Sequence, residues 1–208
     1  MPEETNVLLI KNSKLIKCVS KTIKEVVIPD GITEISHNAF KYCESITSIK
    51  IPDSVTKIGD SAFWDCSSLI SVEIPDSVTE IGEAAFWGCS SLIRVKLPRE
   101  LTEIKDSTFL FCKRLSNIIM PDRVLYINND AFSNCCHLTS IEIPNEVIRI
   151  GSWAFGNCYS LANIEISDGV TEIGDCAFKN CQSLTNIKIP NGVTEIDNWT
   201  FEDCTALN

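Results

Sequence analysis

The sequence predicts a right-handed repeat solenoid of about eight rungs, with short parallel strands and one short helical turn in each 23-residue rung. Three observations carry this. Phe recurs from Phe40 through Phe63, Phe86, Phe109, Phe132, Phe155 and Phe178 to Phe201, always 23 residues apart. A Cys follows each Phe by three residues, from Cys43 to Cys204. Three residues beyond each Cys stands Ile46 or a Leu, from Leu69 to Leu207. A fixed period of this size, kept without insertion or deletion, marks stacked repeats.

Each segment of the period has its own chemistry. Residues 1–27 lie outside it and read as an N-terminal β-hairpin-like cap: an apolar run at 7–10, a turn at Asn12-Ser13, then a second strand at 15–18. The array takes up 28–208, with rungs starting at 28, 51, 74, 97, 120, 143, 166 and 189, and Ile23 and Val26 already fall in register with it. In the rung 74–96, Leu92, Val95 and the following Leu97 set the apolar pattern, and Val95 and Leu97 flank the polar Lys96. That alternation is a strand signal. Pro follows the strand in nearly every rung (Ser167 replaces it), with Asp or Asn next, which makes a turn by fixing φ and bonding the local backbone. Val78 and Ile81 bound a second short extended piece, and Gly82 allows a corner, as do Gly59, Gly151 and Gly174. Asp60, Asp106 and Asn129 stand where they would cap the helical turn through Ala-Phe-x-x-Cys. No single rung closes a core, but stacked rungs bury their apolar columns on each other, so each rung contacts only its neighbours. Asn208 stops one residue past the Leu column, which leaves the last rung without an evident cap and implies a continuing chain or a covering partner.

Composition narrows the function. With 18 Lys and Arg against 28 Asp and Glu among 208 residues, the net charge of −10 repels phosphate backbones and argues against nucleic acid. Two histidines, His37 and His137, stand 100 residues apart and supply neither a metal cage nor a catalytic pair. No phosphate loop or zinc motif occurs, so no cofactor and no catalytic residue is assigned. No run reaches the ~18–20 apolar residues of a spanning helix, and the acidic start Met1-Pro2-Glu3-Glu4 does not read as an export signal. The chain is therefore cytosolic, or a piece whose signal is absent.

The repeat LxxIxIPxxVTEIGxxAFxxC resembles that of the BspA-like leucine-rich repeat family, over residues 22–208. Ser54, Ser77 and Glu146 stand where commoner leucine-rich repeats place an Asn or Cys ladder residue, a departure that belongs to the BspA-like pattern. The resemblance implies a fold of leucine-rich-repeat type, a curved, non-catalytic scaffold that contacts host proteins or extracellular matrix, and a cell-surface or secreted location. A cytosolic scaffold or spacer domain of a larger protein is the alternative.

Eleven cysteines divide into eight in the ladder and three outside it, Cys18, Cys136 and Cys176. A reduced, buried ladder is the favoured reading, because Cys is often buried as a small hydrophobe. Disulfides between rungs stay open, since stacked Cα atoms about 5 Å apart lie within bridging range. Cys136 and Cys176 fall in columns otherwise polar, which predicts exposure.

Candidate protein-binding residues are those that break a column. Trp64, Trp87 and Leu110, with Phe111 beside them, predict an exposed apolar stripe across three rungs, serving either as a contact surface or as packing between rungs. Ile119, Leu125, Tyr126, Ile148 and Arg149 predict a second patch around the fifth rung, for which drift is the competing explanation. The strand columns containing Arg94 and Lys96 predict a mixed polar face on the concave side, either suited to protein or glycan contact or an ordinary solvated face.

Overall fold

The computed structural model describes residues 7–207. The chain opens with an antiparallel hairpin, β1 (Leu8–Lys11) and β2 (Lys14–Cys18). Its two-residue turn places Asn12 and Ser13 at φ 51° and 57°. Two positive φ values in succession match the right-handed twist of the flanking strands. Residues 1–6 of the expected cap lie outside the described residues.

Thereafter the strands alternate between two parallel sheets. One holds β3 (Glu25–Val27), β5 (Ser48–Lys50), β7 (Ser71–Glu73), β9 (Arg94–Lys96) and β11 (Asn117–Ile119), and resumes with β13 (Ser140–Glu142) and β15 (Asn163–Glu165). The other, at the corner of each rung, holds β2, β4 (Glu34–Ile35), β6 (Lys57–Ile58) and β8 (Glu80–Ile81). It resumes with β10 (Glu103–Ile104), β12 (Tyr126–Ile127), β14 (Arg149–Ile150) and β16 (Glu172–Ile173). Register is 23 residues throughout the array, as in Val72↔Val95 and Ile58↔Ile81. The expected eighth rung packs its Phe201 on Phe178, ring centroids 5.6 Å apart, but forms no strand among the described residues.

Neither sheet is continuous. The corner sheet breaks between β8 and β10, and the other between β11 and β13. Rungs four and eight carry Thr108 and Thr200 where Ala is usual. Each hydroxyl donates 2.8 Å to the corner carbonyl of its own rung, Lys105 O and Asp197 O. In rung four the corner strand does not pair with the rung before, and in rung eight no corner strand forms among the described residues. Across the first gap, Lys105 Nζ reaches Glu80 Oε1 at 2.8 Å, a half-exposed ion pair worth about 0–1 kcal/mol.

The continuous element is the face expected to be helical, and it is not a helix. Ala62 N donates to Gly59 O, Trp64 N to Ser61 O and Cys66 N to Phe63 O, all i→i−3 at 3.1–3.2 Å. The intervening amides of Ser61, Phe63 and Asp65 donate to Glu83, Ala85 and Trp87 carbonyls of the next rung at 2.7–2.8 Å. A helix needs uniform right-handed φ, whereas Ser61 and Asp65 sit at 53° and 55°, and every rung repeats both positive values. Asp60, Asp106 and Asn129 therefore do not cap their own rung. Their Oδ1 atoms accept from the backbone N–H of Glu83, Asn129 and Ser152, one rung on.

Inside this face lies the core. Rings from Phe40 to Phe201 stack at 5.0–5.6 Å, within 9° of coplanar. From Cys66 onward each ladder thiol donates to the Phe carbonyl 26 residues earlier, at 3.1–3.4 Å. Both columns hold one rung to the next, and neither requires a disulfide. Cys176, expected to be exposed, is buried, and Cys136 is half-buried.

The left-handed positions give one direct prediction. Ala84 at φ 51° pays for a conformation that costs an L-residue roughly 1–2 kcal/mol, part of which the greater unfolded-state freedom of glycine offsets. Ala84→Gly is expected to stabilise the chain by about 0.5–1 kcal/mol, read as a higher urea midpoint at unchanged slope.

Candidate functional site

The residues singled out from the sequence fall into three places. Ile119 ends β11 with its side chain in solvent, 78% exposed, in a column that elsewhere carries mostly Lys and Glu. It borders an open groove of about 900 Å³ across β7, β9 and β11, floored by Val72, Val95 and Met120. Around this groove Lys96 Nζ lies 2.6 Å from Glu73 Oε1, Arg99 Nε lies 3.3 Å from Asp76 Oδ2, and Arg123 pairs with Glu100. Arg94 makes no ion pair among the described residues, so an uncompensated guanidinium stands near exposed apolar surface. The groove's lining holds Arg94, Lys96, Arg99 and Arg123 against Glu73, Glu100 and Asp122, and with Asp76, the partner of Arg99, its rim is neutral on a chain of net −10.

The expected fifth-rung patch is not one patch. Leu125, Tyr126, Ile148 and Arg149 adjoin each other in the corner sheet, where Tyr126 pairs with Arg149 and Ile148 N donates to Leu125 O at 2.9 Å. Ile119 belongs to the other sheet, beyond the turn at 120–123, and pairs with Lys96. Tyr126 and Ile148 are exposed, while Arg149 is half-buried with its Nε 2.8 Å from Glu172 Oε1.

Trp64, Trp87, Leu110 and Phe111 do come together, but half-buried rather than exposed. Trp64 and Trp87 stack with centroids 4.2 Å apart, and Phe111 meets Trp87 edge-on at 5.3 Å. Lys41 Nζ covers the outer face of the pair, 4.6 Å from the Trp64 centroid. The column was expected to face solvent because it holds polar members, yet Ser133 and Gly156 within it are buried. The turn ladder draws this column inward, so its aromatic members cover the main chain and tie rungs together.

Arg99 and Arg123 were missed from sequence. Their signal was present: Arg99 replaces the turn Asp of its column, and Arg123 stands where Gly or Ser is common. Among the described residues no helix is long and apolar enough to cross a membrane.

A two-sheet parallel solenoid with a 23-residue register is a leucine-rich repeat protein. The chain belongs to the BspA-type leucine-rich repeat family, whose repeat region matches residues 14–138 and 126–208 in six copies. A leucine-rich repeat protein of T. pallidum is 32% identical, with 82% of each chain covered and a TM-score of 0.77. A leucine-rich cell surface protein of Faecalibacterium prausnitzii is also 32% identical, over 89% of this chain and 59% of that one, with a TM-score of 0.60. A leucine-rich repeat protein of Eubacterium ventriosum shares the fold at 24% identity and a TM-score of 0.74; 90% of this chain spans 48% of its length. No curated protein matches the chain.

Proposed function

We propose that the protein is a non-catalytic protein-binding module, adhesin-like and acting at the cell surface or after secretion, that takes host or matrix protein in the groove beside Ile119. The observation that carries this reading is Ile119 itself, 78% exposed at the edge of a groove of about 900 Å³. A large apolar side chain held in solvent beside a free guanidinium has the composition of an interface anchor with a charged neighbour. The cell-surface description of the Faecalibacterium relative supports the proposed location.

Capture of immobilised extracellular matrix proteins tests it. Ile119→Asp is expected to lower capture at least tenfold while leaving the circular dichroism spectrum intact, since the side chain packs on nothing buried. Trp64→Ser with Trp87→Ser is the comparison. If that folded variant loses capture and Ile119→Asp keeps it, the contact lies on the aromatic stripe instead.

A further inference from the structure

Seven of the eight ladder thiols donate to a Phe carbonyl of the preceding rung, and Cys43 does not, because the hairpin supplies no such Phe. Its Sγ lies 3.8 Å from Ser20 O and 3.8 Å from Lys21 Nζ. The Sγ of Cys18 approaches the same Ser20 oxygen at 3.4 Å, and Cys18 N donates 2.7 Å to Ala39 O, so β2 is held against the first rung at this point. Two thiols from different elements thus converge beside one ammonium group. They lie under the irregular segment between β2 and β3, where Val19, Lys21 and Thr22 are exposed.

We propose that Cys18 and Cys43 form a redox pair, which a low-molecular-weight disulfide such as glutathione disulfide converts into a bridge between the cap hairpin and the first rung. The Cys18 thiolate attacks one glutathione sulfur, forming a mixed disulfide and expelling one glutathione thiolate. Cys43 then gives up its proton and attacks the Cys18 sulfur; the Sγ–Sγ bond forms and the second glutathione leaves. Two protein thiols are oxidised, one glutathione disulfide is reduced to two thiols, and the two protons go with the leaving groups. The remaining ladder is unsuited to this chemistry. Burial pushes the Cys66 thiol up to about 12, and Cys89 and Cys135 rise well above the usual range for the same reason. At the cap the hydrogen bond between the two thiols holds Cys18 below the usual cysteine range despite its burial and raises Cys43 in turn, so Cys18 is the sulfur that attacks and Cys43 the one that resolves.

The test equilibrates the intact chain in glutathione buffers of increasing oxidising ratio, then quenches, alkylates and maps peptides by mass. Two of the eleven thiols are expected to be lost, as a peptide linking Cys18 to Cys43. Cys43→Ser is expected to trap glutathione on Cys18, and Cys18→Ser to keep every ladder thiol reduced. Eleven thiols surviving the most oxidising buffer overturn the proposal, as does a bridge that maps to Cys135–Cys136 or to two ladder cysteines. Glutathione appearing on Cys43 in Cys18→Ser overturns the assignment of the attacking sulfur.

Discussion

Replacing Phe109 by Ala is expected to destabilise the protein by about 3–5 kcal/mol, the usual range for emptying a fully buried aromatic site. The ring is inaccessible to solvent and lies between Phe86 and Phe132 at 5.5 and 5.4 Å. Its removal leaves a void that the backbone cannot close, because Phe109 N–H and C=O are both tied to rung five: the N–H donates to Ala131 O at 2.9 Å and the C=O accepts from the Cys135 thiol at 3.4 Å. In a solenoid each rung is stabilised by its two neighbours alone, so the lesion also divides the array. Urea unfolding followed by tryptophan fluorescence is expected to change from one transition to two, since Trp64 and Trp87 report one side of the lesion and Trp153 and Trp199 the other. A single unshifted transition overturns this account of the Phe column as the spine of the molecule.

Gly151→Ala is expected to cost about 1–3 kcal/mol, the range for forcing extra volume into closed packing. A Cβ there would lie 2.7 Å from both Asn128 C and Asn129 N, main-chain atoms of the preceding rung that have no rotamer to move aside. The same residue donates its N–H to Ile127 O at 2.7 Å, so relief by separating the rungs breaks a ladder bond. Gly31→Ala makes the instructive comparison. Nothing lies within 4 Å of a Cβ at Gly31, and its φ of 83° alone sets the cost, roughly 1–2 kcal/mol. Chemical denaturation of both variants separates crowding from backbone strain; an equal or smaller loss at Gly151 removes the close-approach explanation.

These two substitutions also mark where reading the sequence stopped. The glycines at 59, 82, 151 and 174 were expected to turn corners, but none of the four has a positive φ. They are small because the neighbouring rung arrives against them, a contact 23 residues away that local turn chemistry does not describe. Ser36, Lys105, Asn128 and Asp197 carry a Cβ in the same column, so the requirement belongs to particular junctions and not to the motif. The helical turn failed for a related reason. Ser61, Ala84 and Trp153 give no local sign of a left-handed backbone, and the inter-rung ladder imposes it on them. Ile119 and Tyr126 were grouped because their column breaks fall in adjacent rungs, yet the turn between them passes from one sheet to the other.

The amino-acid pattern by itself determined the period, the register, the hairpin at the start and the buried Phe, Cys and Leu columns. A residue repeated at one spacing must meet its own copies when rungs stack, so these contacts are implied by the repeat. Only the tertiary structure decided which ladder runs unbroken, where each sheet stops, and that Trp64 and Trp87 tie rungs together while Ile119 remains in solvent. Those outcomes depend on how far apart adjacent rungs settle, which Thr108, Lys105 and Gly151 set through space, and no single rung contains that distance.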